Sequence, residues 1–290
     1  MRNFTGNTVN DINMIAQNGD EFSNDDIIYV LKNSNDGFSF DDFHNRYERY
    51  CTAIDNDDID TIKEIIIECE RIGVPDLENV LTNGEDYLSL IATAIEDFDG
   101  VILNEPFHKY YAKYGDYLCQ NEQFEDAKYY LLMAFSLNPY DFDCAYSLSN
   151  YYFQIDLYDE AIDVVNQAIC YEIDFNNLGA YYMLLAGAFS LQEEDDLANA
   201  CYTMAVEHCP ELEEPDDDFE KIDFGEAIDI LDENEIFTDY DENVINLMYE
   251  VGMNYYNEDN FDYAKYYLSI YYWMSFDEEI QKILEEISGK

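Results

Sequence analysis

Residues 108–139 read HKYYAKYGDYLCQNEQFEDAKYYLLMAFSLNP, and this stretch decides the fold. Ala127 and Ala134 are seven residues apart, two helical turns, so they share one face of a helix that Pro139 ends. Upstream, Tyr111, Tyr114, Gly115 and Leu118 fall at three- and four-residue spacing, a single helical stripe. A glycine inside a helix costs about 1 kcal/mol relative to alanine. Gly115 therefore predicts a place where the second helix of the hairpin crosses closely enough to repay that cost.

Working outward, the same pattern recurs. Ala161 and Ala198 follow Ala127 at intervals of 34 and 37 residues, and Ala168 and Ala205 follow them by seven. Phe124 and Tyr158 each stand three residues before their alanine, and Pro210 follows Ala205 as Pro139 follows Ala134. A period near 34 predicts helical hairpins stacked as a solenoid. A large side chain at Ala127 or Ala161 is expected to overpack its hairpin by about 1–3 kcal/mol.

The stretch resembles the tetratricopeptide repeat (TPR) family. One copy is Tyr111–Gly115–Leu118–Phe124–Ala127–Leu131–Ala134–Pro139. A second is Leu148–Tyr152–Tyr158–Ala161–Ala168, with Ser149 in the small-residue slot and Ile173 in the proline slot. A third is Tyr182–Leu185–Ala186–Phe189–Ala198–Tyr202–Ala205–Pro210, with Asp195 in the aromatic slot. A fourth is Met248–Val251–Gly252–Tyr255–Phe261–Ala264–Leu268, with Tyr271 in place of the second alanine. The resemblance implies an all-α fold, a right-handed superhelical solenoid of antiparallel helix hairpins, with a concave groove for a peptide or partner helix.

Composition is extreme. With 13 Lys and Arg against 66 Asp and Glu, the net charge is −53. Between Lys128 and Lys221 there is no Lys or Arg at all, while 20 acids occur. Those acids repel one another, disfavour direct contact with nucleic acid and anionic membranes, and favour cationic partners. The 28 tyrosines suit a thin solenoid, because a tyrosine ring packs while its hydroxyl reaches water. The seven cysteines form no C-x-x-C pair and read as small buried residues. No apolar run has the length of a membrane span, and residues 1–20 lack an apolar signal segment. A cytoplasmic protein is expected.

In chain order, residues 1–37 read as a polar, loosely ordered segment in which Asp26–Lys32 has a short helical pattern. Residues 38–107 read as degenerate helical repeats. Phe40, Phe43, Tyr47, Tyr50, Cys51 and Ile54 trace one face, after a Ser39/Asp42 capping box. Ile59, Ile62, Ile66 and Cys69 trace the next helix, stopped by Gly73 and Pro75. Asn83-Gly84 reads as a turn, and Ala94, Phe98, Val101 and Pro106 read as a decayed second helix. Residues 108–212 hold the three clear repeats, with Asn176, Asn177 and Gly179 taken as a loop extension. Residues 213–243 are an acidic linker or a decayed repeat, with a helix expected over Phe219–Leu231. The fourth copy spans 244–277, and a capping helix spans 278–290.

Nothing in the sequence points to catalysis, a metal or a cofactor. The three histidines, His44, His108 and His208, are far apart, and no phosphate loop or zinc-ligand cluster occurs. Asp239, Asp241, Asn243 and Glu250 match calcium-loop spacing, but Val244 stands where the sharp turn needs glycine. In the family the groove is lined by the first helix of each hairpin. The resemblance maps it to Lys109, Ala112, Asp116 and Cys119, then to Asp143, Tyr146, Asn150 and Phe153. Ala180, Met183, Gly187 and Ser190 come next, and Asn246, Tyr249, Met253 and Tyr256 come last. The lysines that some members use to clamp acidic peptide ends are replaced by Ala112 and Ala180. The expected ligand is therefore a neutral-to-basic, partly apolar protein segment, and the expected role a non-enzymatic interaction scaffold. The alternatives are an acidic nucleic-acid mimic that inhibits a basic protein, an acidity that reflects the cell's ionic conditions and has no partner, and tyrosines at 146, 249 and 256 that only pack internally.

Overall fold

The structure is a computed structural model that describes residues 4–18, 24–33, 40–82, 100–212 and 219–288. The described residues fall into two compact units that divide between Asp156 and Leu157. Regular structure in both is almost wholly α-helical.

The first unit opens with α1 (Thr8–Gln17) and α2 (Asn24–Asn33), where a loosely ordered segment was expected. The Asn7 side chain caps α1, and Val9, Ile12, Ile15 and Ala16 are buried. Buried Asp11 accepts from the Thr5 N–H, the Thr5 hydroxyl and the Gly6 N–H. Asn13 donates to the Asp76 carbonyl and accepts from the Glu78 N–H. The polar residues that made this segment look loose are its ties.

The hairpin of α3 (Phe40–Asp55) and α4 (Ile59–Ile72) forms as read, with Ile62, Ile65, Ile66, Cys69 and Ile72 of α4 buried. The inward stripe of α3 differs. Cys51 and Ile54 are exposed, whereas Arg46 and Ala53 are buried. The stripe is rotated because Arg46 points inward, donating from Nε and Nη2 to the Glu105 carboxylate at 2.7 and 2.8 Å. Phe40, Phe43 and the Ser39/Asp42 pair lie outside the described side chains.

The decayed second helix at Val101–Pro106 is not a helix. Val101–Leu103 is a strand, β2, parallel to β1 (Val80–Thr82), in the register Val80↔Val101, Leu81↔Ile102, Thr82↔Leu103. Both are short apolar runs containing β-branched residues, a composition that suits buried strands. Pro106 stands just before α5 (Phe107–Gln120), where its missing N–H costs nothing, instead of ending a helix. Ala94, Phe98 and Asn83-Gly84 lie outside the described residues. α6 (Phe124–Leu137) and α7 (Phe142–Gln154) complete the unit, and the Asn138 amide ties the end of α6 to the Thr82 carbonyl at 3.0 Å.

The second unit holds α8 (Tyr158–Ala168), α9 (Phe175–Leu191), α10 (Asp195–His208), α11 (Phe224–Glu233), α12 (Glu242–Asn257), α13 (Phe261–Ser275) and α14 (Glu278–Ser288). Asn176, Asn177 and Gly179 lie inside α9, not in a loop: Asp174 caps the helix early, and a Cβ on Gly179 would meet Cys209 Cβ at 2.7 Å. α11 starts five residues later than expected because Asp223 caps it. Phe219 stacks on Tyr202, and the Glu220 and Ile222 N–H groups donate to Asn199 and Thr203 of α10.

One turn recurs throughout. Asp57, Glu122, Asp156, Glu193, Glu235 and Asp259 all take left-handed backbone with φ between 54° and 63°. At five of the six the next N–H donates back five residues: Asp58 to Ala53, Gln123 to Leu118, Glu194 to Phe189, Ile236 to Leu231 and Asn260 to Tyr255, all at 2.8–3.0 Å. After Asp58, Gln123, Glu194 and Asn260 a second helix begins. After Glu235 the chain stays non-helical to Asp241, held by the Phe237 N–H on Asn166 and the Asp241 N–H on the Cys170 carbonyl. Residues 224–241 thus form one helix and its turn, followed by a non-helical segment, where an acidic linker or a decayed repeat was expected.

Candidate functional site

The expected groove residues of the first unit sit on two packed helices, α5 and α7. The Asp141 side chain starts α7 by accepting from the Cys144 N–H. Its other oxygen lies 3.4 Å from His108 Nε2 and 3.7 Å from Lys109 Nζ. Burial alone would raise this carboxyl, but His108, Lys109 and the Cys144 N–H together hold it below its ordinary value. Lys109, expected in the groove, is thereby tied to the foot of α7.

Two turns further along α5, half-buried Asp116 accepts a hydrogen bond from Ser147 of α7. Burial pushes its carboxyl up to about 6. The Ser147 bond and Lys113 oppose that rise, and the charge of Asp143 adds to it. Asp143 is exposed, Tyr146 is half-buried and stacked on Phe142 at 5.1 Å, and Asn150 and Phe153 are half-buried. The structure therefore gathers Lys109, Asp116, Asp143, Tyr146, Asn150 and Phe153 on one pair of helices. Ser147 and Lys113 were missed. Ser147 carried a signal, a serine mid-helix among apolar neighbours.

In the second unit Met183 is half-buried on α9. On α12, Asn246 is exposed and Met253 half-buried. Tyr249 is 39% exposed, and its ring leans on Tyr271 at 5.1 Å. Tyr256 packs on Phe261, and its hydroxyl donates to Glu286 of α14 at 3.4 Å. Tyr256 is thereby tied to the terminal helix.

A row of polar groups beneath α5 has the look of catalytic machinery without its access. Thr82 Oγ1 lies 2.7 Å from His108 Nδ1 and accepts from the His108 N–H at 3.2 Å. Thr82 and His108 are 0% exposed and Asp141 is 2% exposed, so no substrate reaches the hydroxyl. The row ties β1 to α5 and α7. Asp241, from the calcium-like spacing, caps α12 instead, and Val244 is buried in that helix. All seven cysteines are free thiols, five of them buried. Among the described residues no group of three or more His, Cys, Asp or Glu is gathered for a metal ion, and no helix is long and apolar enough to cross a membrane.

No protein-family model matches the chain, and no curated protein matches it.

Proposed function

We propose that the chain is a TPR-like α-solenoid that acts as a non-enzymatic interaction scaffold in the cytoplasm. Its groove takes a neutral-to-basic, partly apolar segment of a protein partner. Asp116 carries the reading. It occupies a groove position, is half-buried, and has its carboxyl pushed up to about 6 by burial, with Asp143 adding charge nearby. Such a carboxylate gains most from a cation that arrives with a ligand. Tyr146, Asn150 and Phe153 beside it supply an aromatic surface and an amide for peptide backbone. The net charge of −53 steers basic partners toward the whole molecule, an effect that salt weakens.

The test is a nuclease-treated pull-down at low and moderate salt, comparing the wild type with an Asp116→Asn/Asn150→Ala variant. A prey held at moderate salt and lost by the variant supports groove recognition. Its retention should also fall as pH drops through about 6, where Asp116 takes up its proton. A basic nucleic-acid-binding prey that ignores the variant and leaves with salt overturns the reading in favour of nucleic-acid mimicry.

A further inference from the structure

The first unit contains a cavity that the groove reading does not use. It is an open cleft where the start of α4 meets the turn between α5 and α6, with a volume of about 320 Å³. Its walls include Tyr114, Tyr117 and Tyr130, with Asp60, Lys63 and Asp126 around them. Tyr114 and Tyr130 meet edge-on, centroids 4.9 Å apart and planes at 76°, so their rings form a corner. Tyr117 lies alongside Tyr114 at 6.3 Å with planes 15° apart. None of these six residues is at a position that the repeat resemblance assigns to the groove.

We infer that this cavity is a second recognition point, which accepts one basic side chain, arginine or lysine, of a polypeptide partner. Three observations favour a cation. Aromatic faces carry a negative quadrupole that attracts guanidinium and ammonium groups. Two carboxylates, Asp60 and Asp126, outnumber the one ammonium of Lys63 in the lining. The positive end of α4 is already served, and that of α6, which has no side-chain cap, stands beside two acidic residues. The Asp58 carboxylate accepts from the Thr61 N–H and hydroxyl at the start of α4, and Glu125 and Asp126 stand in the first turn of α6. An anion thus meets acidic side chains at both helix starts, whereas a cation meets tyrosine rings and two carboxylates.

The inference does not depend on the groove, and the experiment keeps the two apart. Full-length protein carrying ¹³C-labelled tyrosine rings is titrated by NMR with the pentapeptide acetyl-Gly-Ser-Arg-Ser-Gly-amide. The same peptide with citrulline, a neutral isostere of arginine, is the control. Signals of Tyr114, Tyr117 and Tyr130, assigned from single Tyr→Phe variants, are expected to shift saturably with the arginine peptide. The citrulline peptide is expected to bind roughly tenfold more weakly, the equivalent of one lost charge-assisted contact. Asp126→Asn and Asp60→Asn should each weaken the arginine peptide, while Asp116→Asn at the proposed groove should not. Equal binding of the two peptides overturns the inference. So do shifts unaffected by Asp60→Asn and Asp126→Asn, or shifts of these three rings with inorganic phosphate in place of the peptide.

Discussion

The hairpins α5–α6 and α12–α13 are built on the same skeleton and end in different surroundings. In the first, a Cβ on Gly115 would sit 2.5 Å from Leu131 Cδ2; in the last, a Cβ on Gly252 would sit 2.7 Å from Leu268 Cδ2. Both pairs are 16 residues apart, and both hairpins close on the same left-handed acidic turn. Yet α5 buries nine of its 14 residues and α12 only three of its 16. The difference lies in what stands against each. α5 is walled by α4 and α7, with Arg46 of α3 paired to Glu105 just before it, whereas α12 packs mainly on its own partner α13. The repeat motif fixes how two helices cross, and the neighbours decide how much of the pair leaves water.

The largest effect should come from breaking the wall. Arg46 and Glu105 are 4% and 6% exposed, and Arg46 also lies 6.0 Å above the Phe107 ring. Arg46→Met leaves Glu105 buried without its guanidinium, a loss of about 3–5 kcal/mol. Trp273, the single tryptophan, stands in the second unit against Phe175 and His208 and reports on that unit alone. In urea unfolding the variant should lose helical circular dichroism early while the Trp273 fluorescence midpoint holds. Adding Glu105→Gln should recover much of the loss. A wild-type transition in the single variant would mean that the buried pair is not what holds the wall.

Next comes the crossing itself. Gly115→Ala should cost about 1–3 kcal/mol of overpacking, offset in part by the roughly 1 kcal/mol that alanine gains in a helix. Gly252→Ala should cost less, because thinly covered α12 can move away from Leu268. Equal losses in thermal melts of the two variants would show that the crossing is rigid whatever surrounds it.

These two cases also mark what the sequence could disclose. Gly115, Ala127 and Ala134 act on partners within one hairpin, so their spacing showed the helices and the close crossing. The wall depends on distant pairs: Arg46 meets Glu105 across 59 residues, and Val80 pairs with Val101 across 21. An apolar triplet such as Val101–Leu103 satisfies a helix stripe or a buried strand equally, and only its partner decides. The proposed groove shows the same limit. The family resemblance placed Asp116 on α5, but its hydrogen bond to Ser147 and its raised carboxyl come from α7 packing on it. The recurrent turn stayed hidden for another reason: in a chain with 66 acids, an acidic residue at each turn carries no signal.

A pH difference should be smaller and confined by unit. In the second unit, burial pushes the Glu172 carboxyl up to about 7 from its usual 4.5, despite hydrogen bonds from the Asp174 N–H and the Asn177 amide. A carboxyl raised on folding binds its proton more readily in the folded state. Stability from this group therefore grows as pH falls through about 7 and is complete below about 4.5. Relief of acid repulsion acts in the same direction throughout the chain, so the informative quantity is the difference from Glu172→Gln. At about pH 8, well above the Glu172 midpoint, that variant should raise the Trp273 midpoint. Its advantage should vanish toward pH 5. A variant as stable as wild type at every pH would show that Glu172 is not strained.

The smallest effect tests whether the turn belongs to the motif or to its surroundings. A non-glycine residue in left-handed backbone costs about 1–2 kcal/mol, part of which glycine returns through its freer unfolded chain. Glu122→Gly and Asp259→Gly, at φ 57° in each case, should therefore each gain about 1 kcal/mol or less. The gain should be equal in the walled and the exposed hairpin, because the strain sits in one residue's backbone and both side chains face water. A clearly larger gain at Glu122, read from paired thermal melts, would mean that the wall around α5 compresses the turn as well as burying the helix. The division between a local motif and its surroundings would then fail at the place where the two hairpins look most alike.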